Sequence, residues 1–320
     1  MRKLPAALAV AALAAVSLTG CTSSPSADDC VPESADVAAL DLVNVTGSVD
    51  AVPNIDLYTP FHVEQTEFRE DVAGEGTEVE ASSQLIVVDV ALFSGETGDA
   101  LLATPYDGDL SRAYTVDRWA EQFPAFTDAL VCASPGSRVT IAMAPGDYDA
   151  ASLASVGVAE DDTVIAVVDV RKVYLSAADG DNQFNVGHGL PTVVRAPDGR
   201  PGIIVPDGAA PDGLQIETLK KGDGAVVTGE QPVRVHYTGV TWDEREVFDT
   251  SWDSEPASMT LDAVVPGFAA ALDGQTVGSQ VLVVIPPEQG YGDQAQGSIP
   301  AGSTLVFVID ILGLDDAPLS

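Results

Sequence analysis

Basic residues are scarce in this chain: 320 residues include 14 lysines and arginines against 49 aspartates and glutamates, a formal net charge of −35. Because nucleic-acid binding needs cations that neutralise phosphates, this balance argues against a nucleic-acid partner. It also argues against adhesion to anionic lipid through charge. Hydrophobic residues make up 46% of the chain and charged residues 20%, so we expect a packed core rather than disorder.

Histidine and cysteine are equally rare, with three of each. His62, His188 and His236 lie far apart and lack the spacing of zinc ligands, so no metal site is predicted. The chain contains no Gly-x-Ser-x-Gly motif and no phosphate-binding glycine loop. These absences argue against hydrolase and nucleotide-binding functions.

The N-terminus has the pattern of an export signal. Arg2 and Lys3 precede a short apolar run, and residues 1–20 are predicted to be a signal peptide. The run ends in Leu18-Thr19-Gly20-Cys21, which resembles a bacterial lipobox with Cys21 as the lipid-bearing residue. Residues 21–36 would then be a flexible tether on the extracytoplasmic face of the cell membrane. Ordinary secretion, with Cys21 as a plain thiol, is the alternative.

Two further cysteines remain, Cys30 and Cys132. In an exported protein a remaining pair suggests one disulfide bond. The alternative is two buried free thiols.

Two globular regions follow, which we call the N-terminal region (residues 37–175) and the C-terminal region (residues 213–315). Runs rich in Val and Ile predict strands in both, and a short helix is expected between Val265 and Gly274. This composition indicates an α+β fold, an antiparallel sheet wrapped around a short helix. Residues 176–212 are rich in Gly, Pro and Asp and are predicted to be a linker, in which Gly202-Ile203-Ile204-Val205-Pro206 could dock as a short strand.

The two regions resemble each other. Phe123–Leu130 parallels Val265–Leu272, and Thr163–Val170 parallels Thr304–Ile311, at an offset of about 140 residues. The pattern predicts two tandem copies of one fold, and coincidence between two β-rich domains is the alternative.

The C-terminal region carries a series of short motifs in a fixed order. They are Val235-His236-Tyr237-Thr238-Gly239, Phe248-Asp249-Thr250-Ser251, Val264-Val265-Pro266-Gly267-Phe268, Gly290-Tyr291-Gly292, Ile299-Pro300 and Thr304-Leu305-Val306-Phe307. Together they resemble the FKBP-type peptidyl-prolyl isomerases, over residues 206–315. The resemblance implies an enzyme that speeds cis/trans exchange of Xaa-Pro bonds and uses no cofactor.

The resemblance also implies the site residues. Tyr237, Asp249 and Tyr291 would be the catalytic residues. The substrate pocket would be formed by Phe248, Val264, Val265, Phe268, Ile299 and Phe307. Phe268 stands where the family commonly has Trp, and Ala257 falls near the place of a wall aromatic, so one side of the pocket is expected to be open.

The N-terminal region is predicted to be a degenerate copy. Phe126 and Tyr148 match the floor and the hydroxyl donor, but Leu101 or Leu102 falls opposite Phe248 and Asp249. The whole chain is therefore expected to isomerise Xaa-Pro bonds of unfolded or partly folded exported polypeptides. The alternative is a non-catalytic peptide-binding chaperone or scaffold lipoprotein.

Overall fold

Strands dominate the structure, a computed structural model that describes residues 37–184, 187 and 189–317. The long Val/Ile runs form its central strands, because β-branched side chains pack well on a pleated surface. The strands are β1 Val43–Thr46, β2 Asn54–Leu57, β3 Glu67–Val72, β4 Leu85–Ser94, β5 Ala100–Ala103, β6 Tyr114–Thr115, β7 Arg138–Met143, β8 Val164–Val173, β9 Asp181–Asn182, β10 Thr192–Arg195, β11 Pro201–Ile204, β12 Gln215–Lys221, β13 Val233–Thr241, β14 Val247–Thr250, β15 Ala257–Met259, β16 Gln280–Ile285 and β17 Leu305–Leu314. The helices are α1 Val116–Ala120, α2 Phe126–Ala129, α3 Ala150–Leu153 and α4 Pro266–Leu272, with 3-10 turns at Leu40–Leu42, Ala154–Val156 and Pro287–Gln289.

Two antiparallel sheets contain all of these strands except the β1–β2 and β10–β11 hairpins. The first sheet has the order β3-β7-β8-β4-β5, with β6 paired to β4. The second sheet has the order β14-β13-β17-β16-β12-β9, with β15 paired to β13. Apart from β9, the second sheet repeats the strand order of the first when both are followed along the chain. The antiparallel sheets with few helices agree with the predicted α+β class.

Each sheet has a helix-side core on one face and a hairpin on the other. In the second sheet α4 packs Phe268 and Leu272 into the core on the face formed by β13, β16 and β17. The opposite face packs Val240, Leu282 and Val306 against side chains of the β10–β11 hairpin. In the first sheet the β1–β2 hairpin covers the corresponding face.

Part of the predicted linker is therefore folded. Residues 192–204 form the β10–β11 hairpin, whose Val193 and Ile203 pack on the second sheet, and β9 pairs with β12. The turn dipeptide Asp198-Gly199 that suggested a linker lies at the tip of this hairpin. Gly-rich turns accompany hairpins as readily as linkers, so composition alone does not separate the two.

Tyr174 joins the two regions. Its hydroxyl donates to Asp315 at 2.9 Å, and its side chain is 2% exposed. Gly313 faces its ring so closely that a Cβ there would lie 2.5 Å from Cδ1, so only glycine fits without movement. Leu175 also donates its N–H to the carbonyl of Leu312 at 3.1 Å. The regions are therefore packed together rather than merely tethered.

Each sheet has a polar row across its middle strands. In the first sheet Asp169 pairs with Arg138, at 2.6 Å from Nε and 2.8 Å from Nη2. In the second sheet Asp310 holds the same place and accepts a hydrogen bond from Gln280 at 2.7 Å. Burial raises the pKa of Asp310 to about 6.

No helix among the residues that the structure describes is long and apolar enough to cross a membrane.

Candidate active site

Strand alternation sets the two faces of β13. Successive side chains of a strand point to opposite faces, so Val235 and Tyr237 pack on the α4 side while His236 lies on the other side. Tyr237 is partly buried against the core that contains Phe268 and Phe307. The strand thus delivers one phenol to the helix side of the sheet.

Four aromatic rings meet there. Phe268 and Phe307 lie 5.1 Å apart between ring centroids at 88°, and Phe248 and Phe307 lie 5.4 Å apart at 88°. Tyr237 meets Phe268 edge to face at 6.1 Å. Edge-to-face contacts are the favoured arrangement of aromatic pairs, and they fix the ring orientations. The rings form an apolar box that is open on the side of Tyr237 and Phe248, whose side chains are only partly buried.

Phe268 reaches the box because of where α4 begins. Pro266 occupies the first turn, where a missing N–H costs nothing, and Val265 precedes it in extended conformation. Gly267 lies against Ile285, and a Cβ at this position would lie 2.5 Å from Ile285 Cγ2. The Val-Pro-Gly-Phe order therefore starts the helix, brings it close to β16 and places Phe268 as the floor.

The polar part of the site is the contact between Tyr237 and Asp249. The Tyr237 hydroxyl donates to Asp249 Oδ2 at 2.6 Å. Burial and this carboxylate raise the pKa of Tyr237, so the phenol stays protonated. Asp249 lies opposite Gly239 in the β13–β14 ladder. A Cβ at Gly239 would come within 2.6 Å of Phe248 and Phe307 ring atoms, so the Tyr-Thr-Gly motif needs its glycine here.

Tyr291 and Ile299 come from the long connection between β16 and β17. Tyr291 follows the 3-10 turn Pro287–Gln289 and is 37% exposed. It is close enough to Tyr237 to contribute to the raised pKa of that phenol. Ile299 is buried in the same core as Phe268, and Val264 packs on that core from the loop before α4.

The structure thus brings the sequence-predicted residues together. The pocket residues all belong to one cluster, with Phe268, Ile299 and Phe307 buried and Phe248, Val264 and Val265 partly buried. Tyr237, Asp249 and Tyr291 lie on its open side. Ala257, expected near the open wall, is partly buried at the edge of this cluster.

Sequence reasoning missed the residues behind the site. His236 had no assigned role, yet its Nδ1 lies 2.9 Å from Ser251 Oγ and its ring stacks on Trp252. Ser251 stands in the Phe-Asp-Thr-Ser motif, but the motif alone does not show which way its hydroxyl points. An alternation argument places His236 on the back face and predicts no partner there.

The corresponding place in the N-terminal region is closed. Tyr148 is buried, and its hydroxyl donates to the carbonyl of Asp162 at 2.8 Å. Phe126 stacks on Phe123 at 5.0 Å, and Leu153 of α3 is buried in the same core. Leu102 pairs with Leu92 in the β4–β5 ladder, as Asp249 pairs with Gly239 in the β13–β14 ladder. Leucine therefore stands at the place of the carboxylate. A phenol, a carboxylate and an open aromatic box are therefore not assembled here.

The C-terminal region, which contains this cluster, matches known proteins. The family model described as FKBP-type peptidyl-prolyl cis-trans isomerase matches residues 224–312. A probable FK506-binding protein of Corynebacterium glutamicum is 37% identical over 114 residues, which are 35% of this chain and 97% of that protein. An FK506-binding protein of Streptomyces anulatus is 36% identical over 120 residues, covering 36% of this chain and 97% of that protein.

A third relative is the FKBP-type 22 kDa peptidyl-prolyl cis-trans isomerase of Escherichia coli, 43% identical over 102 residues, which are 31% of this chain and 49% of that protein. Residues 224–312, which the family model matches, include α4, the aromatic box, strands β13 to β16 and most of β17. This chain belongs to the FKBP family and is a peptidyl-prolyl cis-trans isomerase.

Proposed function

We propose that the isomerase activity resides in the C-terminal region, with Tyr237, Asp249 and Tyr291 as its catalytic residues. The observation that carries the proposal is the aromatic box lying directly beside the hydrogen-bonded Tyr237–Asp249 pair. The other three rings of the box, Phe248, Phe268 and Phe307, are all predicted pocket residues.

The chemistry needs little more than this. Resonance keeps the peptide bond before proline planar, with a rotation barrier of about 18–20 kcal/mol. The bond loses its double-bond character and part of its dipole as it twists, so an apolar pocket favours the twisted state over water. The prolyl ring would enter the box above Phe268, and the Tyr291 hydroxyl would donate to a substrate carbonyl.

The backbone before α4 supplies a second polar contact. The Val265 carbonyl already accepts from Phe268 and Ala269, at 2.9 and 3.1 Å. The Val265 N–H has no protein acceptor within the described part of the chain. Val265 lies at the edge of the pocket cluster. It would bind a main-chain carbonyl of the peptide substrate and align the Xaa-Pro bond over the box.

The N-terminal region is in our proposal a tandem copy that has lost this site. The shared strand order supports it, as does the register: Asp169 and Asp310 occupy the same place in their sheets, and so do Asp89 and His236. The hydroxyl of Tyr148, the counterpart of Tyr291, donates to the Asp162 carbonyl. The region would serve non-catalytically, as a peptide-binding or scaffold domain.

A matched pair of variants in the whole chain tests this assignment. Tyr291→Phe removes one hydroxyl from the proposed site and is expected to lower kcat/KM for an Xaa-Pro peptide about fivefold, the effect of one hydrogen bond. Tyr148→Phe removes the matching hydroxyl and should leave kcat/KM unchanged while lowering the free energy of unfolding by about 1 kcal/mol. A loss of activity in Tyr148→Phe, with Tyr291→Phe unaffected, would reverse the assignment.

The setting of the enzyme is the second part of the proposal. The chain would be a lipoprotein anchored through Cys21 on the extracytoplasmic face of the membrane, acting on exported polypeptides with Xaa-Pro bonds. The signal-like N-terminus supports this, and residues 1–36 lie outside the described residues. The proposed disulfide joins Cys30, also outside them, to Cys132, a half-buried residue in the turn after α2.

Removing the anchor residue tests the location. We expect the protein to sediment with membranes, and Cys21→Ser to release it into the soluble fraction, because stable attachment depends on the lipid chains. Cys30→Ser is the control, since it removes another cysteine, and with it the proposed disulfide, without affecting the anchor. Membrane association that persists in Cys21→Ser would contradict the lipoprotein proposal.

A further inference from the structure

At the end of the β13–β14 hairpin, one ladder hydrogen bond is accepted by a side-chain hydroxyl rather than by a main-chain carbonyl. Ser251 donates its N–H to the Tyr237 carbonyl at 3.1 Å, as the next rung of the ladder requires. The return bond from the Tyr237 N–H goes to Ser251 Oγ at 2.9 Å. In a regular antiparallel pair the carbonyl would accept it, but the Ser251 carbonyl faces Ser254, whose N–H lies 3.0 Å away.

The same Ser251 hydroxyl also contacts His236 on the back of the sheet. Oγ accepts from the Tyr237 N–H and keeps its own proton to donate to His236 Nδ1, which lies 2.9 Å away; with that bond made, Nε2 is the protonated nitrogen of the neutral ring. Burial and the charge of Arg200 lower the pKa of His236 to about 4, so the ring stays neutral near pH 7. The ring stacks on Trp252 at 4.2 Å and 18°, which holds it in place.

The first sheet contains the same rung. Thr104 donates its N–H to the Val90 carbonyl at 2.9 Å, and its Oγ1 accepts from the Val90 N–H at 3.0 Å and donates to Asp89 at 2.7 Å. Val90 and Asp89 are the counterparts of Tyr237 and His236 in their sheet. The rung is thus an element of both sheets, but only in the second does it lie behind a phenol–carboxylate pair.

We propose that Ser251 and His236 are positioning residues of the isomerase, acting through Tyr237 and Asp249. This inference rests on the proposed catalytic roles of those two residues. The Ser251 hydroxyl fixes the main chain of Tyr237. Ser251 directly follows the short strand β14 and is two residues from Asp249, which lies on that strand. A site of this kind tolerates displacements of only about 0.5 Å, and the Tyr237–Asp249 contact at 2.6 Å spans the two strands that the rung ties together.

The test compares matched variants of the whole chain. Ser251→Ala is expected to lower kcat/KM about tenfold and to move the NMR resonance of the Tyr237 ζ-carbon, which reports hydrogen bonding of its hydroxyl. Ser251→Thr should restore both, since the first sheet accepts threonine at this place. Thr104→Ala loses the same hydrogen bonds in the first sheet and should change neither.

His236→Phe gives a second reading if Ser251→Ala does not fold. It keeps a ring to stack on Trp252 but removes the acceptor for Ser251, and we expect a loss of about threefold in kcat/KM with the same shift at Tyr237. Equal effects of Ser251→Ala and Thr104→Ala, or an unmoved Tyr237 resonance in folded Ser251→Ala and His236→Phe, would overturn the positioning role. If Asp249→Ala itself retains full activity, the proposed site fails instead.

Discussion

Asp249→Ala is expected to lower kcat/KM about tenfold or more, with little change in stability. Asp249 accepts the Tyr237 hydroxyl at 2.6 Å, and a hydrogen bond to a charged group stabilises by about 1.5–3 kcal/mol, of which exposure removes a part. The phenol would lose the acceptor that orients it over the pocket. The side chain is exposed, so the free energy of unfolding should fall by only about 1 kcal/mol.

Asp243→Ala is the matched control for this prediction. Asp243 is an exposed carboxylate in the turn of the same hairpin, and its loss changes the net charge by the same amount. We expect it to retain full activity in a coupled assay on an Xaa-Pro peptide. If both variants lost activity equally, the effect would belong to the charge of the hairpin and not to the contact with Tyr237.

Phe268→Ala is expected to abolish measurable isomerase activity and to destabilise the fold. Phe268 is 3% exposed and meets both Tyr237 and Phe307 edge to face. Truncating a buried Phe to Ala costs about 3–5 kcal/mol, because the cavity does not close. The prolyl ring would lose its floor, so the apolar environment that favours the twisted peptide bond would be lost with it.

The N-terminal region provides the control for that loss of stability. Phe126 is fully buried in the corresponding core, and Phe126→Ala should cost a similar amount of unfolding free energy. At a temperature where circular dichroism shows both variants folded, only Phe268→Ala should lose kcat/KM. A folded Phe268→Ala enzyme with normal activity would contradict the assignment of the pocket floor.

The grouping of the site residues was predictable because they lie in short motifs with local causes. Val265-Pro266-Gly267-Phe268 starts a helix, and Gly239 is required where two rings approach the backbone. The pairing of the short hairpins was not predictable. The run Val43–Thr46 looks like any exposed strand, and β10–β11 is interrupted by the turn residues that suggested a linker. A strand of four residues with few apolar positions gives no periodic signal.

Short edge strands, and contacts between residues far apart in the chain, were also not predictable from the sequence. No run of Val and Ile marks the edge strands Val247–Thr250 and Ala257–Met259. The Ser251–His236 contact and the Tyr174–Asp315 contact depend on rotamers and on packing between residues far apart in the chain. Residue type at one position does not determine either.

The central claim is that Xaa-Pro bonds are isomerised only at the pocket of the C-terminal region. The most direct measurement is an NMR titration of the whole chain with a short Xaa-Pro peptide, following protein amide shifts and peptide cis/trans exchange together. We predict accelerated exchange, with shifts at Tyr237, Val265 and Tyr291 and none at Phe126 or Tyr148. Accelerated exchange with shifts confined to Phe126 and Tyr148 would contradict the account.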